Sequence, residues 1–147
     1  MAYLTNKKAR FDYEILETVV SGIELFGFEA KAVRAGSGSL VGSRVMPRGG
    51  EAYLVGATIT PLQPLNVPKD YEPTRNRRLL LTKKEITKLV GVEKERGLTI
   101  VPISMYNKGR FIKLEIAVVR GKKEFDKRET TKKRETDREI RRTLKYN

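Results

Sequence analysis

The chain contains neither histidine nor cysteine, so the usual general base, the thiol nucleophile and the nitrogen and sulfur ligands of metal sites are all missing. Its carboxylates scatter over predicted strands and loops without forming a recognisable pair. The glycine-rich stretch RAGSGSLVG places glycines at 36, 38 and 42, a spacing that fits neither a dinucleotide fingerprint nor a phosphate loop, which also needs GK[ST]. A turn after a helix explains it better. What the residues offer instead is positive charge. NKKAR (Asn6 to Arg10), Lys31 with Arg34, and TRNRR (Thr74 to Arg78) are three basic clusters suited to phosphate oxygens, and arginine also stacks on unpaired bases. Singly, each has the composition of a solvated surface. Together they point away from catalysis and cofactors and toward structured or single-stranded RNA; no helix-turn-helix, zinc-finger or basic-zipper pattern argues for duplex DNA.

The elements that must carry these clusters are mostly strands. FDYEILETV alternates, with Phe11, Tyr13, Ile15 and Val19 on one face, as in a half-buried strand. EAYLVGATI repeats the pattern with Tyr53, Val55, Ala57 and Ile59, and RFIKLEIAVV with Ile112, Leu114, Ile116 and Val118. LTIVPISMY is apolar on both faces, which predicts a buried strand with an irregularity at Pro102. SLVGSRVMP adds a strand closed by the turn signal RGG. Two helices interrupt the strands. GFEAKAVRAG carries Phe28, Ala32 and Ala35 at helical spacing, with Lys31 and Arg34 opposite, and stops at Gly36. The second opens at Thr82, with Glu85 at capping-box spacing, and buries Ile86, Leu89 and Val90; Gly91 bends or ends it. QPLNVPKDYEPTRNRR reads as an exposed loop. Five or six strands with two inserted helices suit a small closed barrel.

Length and charge bound the reading further. A chain of 147 residues, 39% hydrophobic, suits one domain with a modest core. No apolar run approaches the ~20 residues of a membrane-spanning helix, and no signal-peptide core is present at the start; a cytoplasmic protein is expected. Lys and Arg number 31 against 18 acidic residues, a net charge of +13, which favours a polyanionic partner. An anionic membrane is a weaker fit, since the apolar residues of the C-terminal segment make no continuous stripe. Residues 121–147 hold 11 basic and 6 acidic residues and so carry +5 of that charge. The segment is too poor in apolar residues to build a core, yet Glu124 with Arg128, Glu129 with Lys133 and Asp137 with Arg141 fall at i and i+4 in the favourable order, each worth ~0.2–0.5 kcal/mol. Such pairs bias a helix without folding it. The chain divides into a barrel over 1–120 and a basic tail over 121–147.

In order, NKKARFDYEI, SGIELFGFEAKAVRAG, GEAYLVGATITP, PTRNRRLLLTKKEI, GLTIVPISMY and GKKEFDKRETTKKRETDREIRRTL resemble the SmpB family, the small protein B that binds the transfer-messenger RNA of bacteria. The resemblance runs from Asn6 to Lys145. It implies a mainly β fold, a closed antiparallel barrel of the oligonucleotide-binding type with two or three short helices and a tail unstructured in the free protein. It also implies partners: the tRNA-like domain of transfer-messenger RNA, the decoding centre and message channel of the small ribosomal subunit, and elongation factor Tu on the alanyl-charged RNA. The protein would be a monomer. On a stalled ribosome the tail would fold as a helix in the vacant channel.

Carried onto this sequence, the resemblance and the basic clusters place RNA contacts at Asn6, Lys7, Gly22, Glu29, Lys31, Arg34, Leu80 and Thr82. Ribosomal contacts fall in the tail, at Lys122, Lys123, Asp126, Lys127, Arg128, Lys132, Lys133, Arg134, Arg138 and Ile140. Two positions depart from the family. Val20 stands where relatives commonly have Glu, and Thr82 where they usually have His or Asn. Leu80, within three leucines, suits a core as well as an RNA contact, and Thr82 suits a helix cap. The alternative to RNA delivery is a basic structural protein of the ribosome, and a remote third reading is an RNA-modifying enzyme.

Overall fold

The computed structural model describes residues 2–63, 65 and 67–121. The order is β1 (Ala2–Thr5), α1 (Lys7–Asp12), β2 (Tyr13–Ile23), α2 (Gly27–Arg34), β3 (Gly38–Ser39), β4 (Arg44–Arg48), β5 (Glu51–Val55), β6 (Thr58–Ile59), β7 (Arg77–Leu80), α3 (Lys83–Lys94), β8 (Leu98–Lys108) and β9 (Phe111–Gly121). Seven strands form one antiparallel sheet in the order β1-β8-β9-β2-β7-β5-β4, and β3 pairs with β6. The mainly β content agrees with the sequence, and the three helices fall within the two or three that the resemblance implies, although α1 is not among the two read from residue spacing. No helix among the described residues is long and apolar enough to cross a membrane.

Among the described residues, the expected closed barrel is not formed. In the hydrogen-bonded order β1 and β4 are edges, and β4 curls back to pack on β8 without a ladder between them. The reason lies in what fills the seam. Helix α3 packs against both β4 and β8, and Arg48 Nη1 of β4 meets Glu93 Oε1 of α3 at 2.7 Å.

The main core lies on the concave face, where Leu54, Leu79, Ile100, Met105, Leu114 and Ile116 pack with Ala32 and Val33 of α2 and Ile86 and Leu89 of α3. A second cluster forms on the opposite face of β8 and β9 from Val101, Ile103, Ala117 and Val119, covered by Ala9 of α1. The strand LTIVPISMY is apolar on both faces because each face has its own core. Its register shifts between Pro102 and Ser104, at the expected irregularity.

Three local expectations are corrected. Phe11 lies in α1, whose N-cap is Asn6, so the strand begins at Tyr13. In β5 the buried residues are Ala52 and Leu54, both at 0% exposure, whereas Tyr53 and Val55 were expected inward. Parity changes at Gly56, whose φ of 87° is open to glycine and strained for other residues; beyond it Ala57 and Ile59 are buried as expected. In α2 the residues fully buried are Glu29, Ala32 and Val33, with Ala35 exposed.

Candidate nucleic-acid interface

Strand register lines up four residues on the face opposite the main core. Leu80 of β7 sits beside Gly22 of β2, Gly22 beside Lys113 of β9, and Lys113 beside Tyr106 of β8. Leu80 and Val20 are each 48% exposed, so Leu80 belongs to this face and not to the core. A Cβ added at Gly22 would lie 3.0 Å from Leu80 Cβ. Leu80 therefore rests on a gap that glycine leaves, and Gly22 sets its height over the sheet.

At the end of β7 the chain enters α3 through a capping box. The Thr82 hydroxyl oxygen accepts from the Glu85 N–H at 3.2 Å, and the Glu85 carboxylate accepts from the Thr82 N–H at 2.9 Å. The cap uses the hydroxyl as an acceptor, which leaves its own O–H to donate to a ligand. Lys83 and Lys84 in the first turn of α3 are exposed beside it. Lys7, Lys31 and Arg34 are exposed as expected.

Three residues expected among the RNA contacts are buried: Gly22, beneath Leu80, and Asn6 and Glu29. Asn6 is 3% exposed. Its Oδ1 accepts from the Ala9 N–H at 3.1 Å, and its Nδ2 donates to the carbonyls of Pro102 at 2.9 Å and Leu40 at 3.3 Å. The side chain caps α1 and ties it to β8, with no group left for solvent. Glu29 is fully buried at 0%. Its carboxylate accepts from the Phe26 N–H at 2.9 Å, Tyr71 Oη at 2.8 Å, Arg77 Nε at 2.9 Å and both Nε and Nη2 of Arg75.

Within the loop read as merely exposed, Tyr71 and Arg75 converge on this carboxylate, and Arg77 joins them from β7. Arg77, itself 0% exposed, also donates to the carbonyls of Ala57 at 2.8 Å and Pro73 at 2.9 Å. TRNRR is thus divided by function: Arg77 and Arg75 are bound inward, and Arg78 is exposed near Glu24 and Glu51. The signal in the sequence was the alternation of Arg77 with Leu79, which places both on the inner side of β7. Burial alone raises the Glu29 pKa, but the hydrogen bonds from Arg75, Phe26 N–H, Tyr71 and Arg77 together outweigh it and hold the carboxyl below its ordinary value. Burial, then the bond to Glu29 and its charge, push the Tyr71 phenol up, so it stays a donor. Arg75 reaches the surface over the ring of Phe26, 4.1 Å from its centroid, a cation–π contact. The tail residues Lys122, Lys123, Asp126, Lys127, Arg128, Lys132, Lys133, Arg134, Arg138 and Ile140 lie outside the described residues.

The model of the SmpB protein family matches residues 3–146. The chain belongs to the SmpB family. Among similar members of that family, the SsrA-binding protein of Gloeothece citriformis is 45% identical over 140 residues, 95% of this chain and 90% of that protein. That of Pseudomonas aeruginosa is 45% identical over 141 residues, 96% and 89% of the two chains, and that of Gloeobacter violaceus 46% over 140 residues, 95% and 91%. The fold also matches a chain of a solved structure described as "tmRNA-SmpB: a journey to the center of the bacterial ribosome", with a TM-score of 0.68 at 40% identity, over 82% of this chain and 84% of that one. Within the SmpB family, then, this chain has Val20 and Leu80 as an apolar pair on an outer sheet face.

Proposed function

We propose that this chain binds transfer-messenger RNA, the SsrA RNA, through its tRNA-like domain and brings it to ribosomes stalled without a complete message. The observation that carries the reading is membership of the SmpB family along residues 3–146, with relatives that are SsrA-binding proteins. The face described above supports it. Leu80 and Val20 offer apolar contact to sugar edges and base faces, while Lys113, Lys83 and Lys84 border them with charge for phosphates. Gly22 acts by seating Leu80, and Thr82 by donating its hydroxyl proton. Lys7, Lys31 and Arg34 add longer-range attraction. Glu29 and Asn6 act beneath the surface, the first by fixing Arg75 and the second by fixing α1.

In this reading residues 1–120 form the RNA-holding body and 121–147 the ribosome-probing tail, with Asp126, Lys127 and Arg128 at the point where the tail leaves the decoding centre. Elongation factor Tu accompanies the charged RNA. Among the described residues the body has no closed hydrogen-bonded barrel, and the RNA-binding reading rests on the outer face of its sheet. The test is to capture the tagged chain from bacterial cells and sequence its RNA. One enriched small RNA with a tRNA-like end is expected; ribosomal RNA alone would overturn the reading in favour of a structural protein of the ribosome.

A further inference from the structure

We propose that Phe111, at the tip of the β8–β9 hairpin, is a stacking platform for an unpaired RNA base, with cations around it for the adjoining phosphates. The inference rests on the RNA-binding reading and extends its face to a residue not yet assigned a role. Phe111 is 70% exposed and belongs to neither core cluster. A phenyl ring held that far into water gives little to folding, yet its backbone is firmly fixed. Gly109 and Arg110 form a two-residue loop between the strands, with Gly109 at φ 64° in the first central position that such hairpins favour. Asn107 Nδ2 donates to the Gly109 carbonyl at 2.6 Å.

Positive charge converges on the tip from two elements. Lys108 is directly opposite Phe111 in the ladder, Arg110 precedes it, and Lys113 follows two residues on along the same face. From α2, Arg34 Nη2 donates to the Arg110 carbonyl at 3.3 Å, which anchors a fourth cation there. The acidic groups of this region are Glu115, further along β9, and Glu24, just past β2, which lies 3.7 Å from Arg78. The balance remains positive. An aromatic face among lysines and arginines matches a base with its flanking phosphates. The row of Leu80, Gly22 and Lys113 leads to this ring, so one RNA can engage both.

The chain has no tryptophan, so Phe111→Trp introduces a single reporter at the site. A transcript of the tRNA-like domain of transfer-messenger RNA is the probe, titrated against wild type, Phe111→Trp, Phe111→Ala and Leu80→Glu. Expected are near wild-type affinity and quenched emission for Phe111→Trp, and about tenfold weaker binding for Phe111→Ala, the scale of one lost base stack. The salt slope of Phe111→Ala should match wild type, since no charge is removed. Wild-type affinity of Phe111→Ala together with unquenched Phe111→Trp at saturating RNA overturns the stacking role. If Leu80→Glu is weakened in that same experiment, the RNA-binding reading survives. Failure of the wild-type chain to bind the transcript overturns both. Should Phe111→Ala melt lower than wild type, the tryptophan variant decides: unquenched emission overturns the proposal.

Discussion

Leu80 has the position it has because the residue across from it has no side chain. In the β2–β7 ladder a methyl group at Gly22 would come within 3.0 Å of Leu80 Cβ and 3.2 Å of its Cδ1, closer than side chains normally pack. Leu80 is half exposed and free to move outward, so Gly22→Ala should fold, with a change in unfolding free energy within about 1 kcal/mol. The shifted leucine would no longer match the RNA surface. Binding of transfer-messenger RNA should weaken several-fold, measured by filter binding or anisotropy beside a urea melt. Unchanged affinity would mean that Leu80 is a bystander. The sequence shows the glycine and the leucines, but only the register shows that they touch. Val20 and Leu80 both proved outward-facing, which a run of three leucines does not reveal.

A buried polar cluster ties α2 to β7. Glu29 and Arg77, both at 0% side-chain exposure, pair at 2.8 Å, with Arg75 and Tyr71 closing the cluster. Removing one member of a buried pair strands the other, at a cost of about 3–5 kcal/mol. Glu29→Gln should therefore lose much of the stability of the body at neutral pH, as read by urea unfolding. The sign of the pH effect follows from the lowered carboxyl pKa in the fold, against an ordinary value of 4.5. The ionised pair stabilises fully above that ordinary value and its contribution fades as pH falls through the lower folded value. The gap between wild type and Glu29→Gln should narrow on acidification; a gap constant with pH would show that ionisation of Glu29 is not what matters.

Periodicity located β2, β8, β9, α2 and α3 within a few residues, because their apolar spacing is long and regular. It failed where a single residue resets the geometry. Gly56 inverts the face of EAYLVGATI, and Asn6 caps a short helix that takes Phe11 out of its apparent strand. The family resemblance places Glu29 among the RNA contacts, yet it is buried, because its three side-chain partners come from a segment more than 40 residues away in sequence.

For the whole molecule, the proposed function assigns the long-range attraction to RNA to a net charge of +13, the fit to the sheet face, and contact with the ribosome to the tail. These roles separate in one measurement: transfer of the nascent peptide to alanyl transfer-messenger RNA on ribosomes stalled at a message end, with RNA well above its dissociation constant. Transfer should require the wild-type chain. Replacing Asp126, Lys127 and Arg128 together by Ala removes a net charge of only +1, so it should leave RNA binding close to wild type and yet reduce transfer sharply. Leu80→Glu should fail earlier, at RNA binding. Transfer at full rate without the chain, or with the triple variant, would contradict delivery by the body and licensing by the tail.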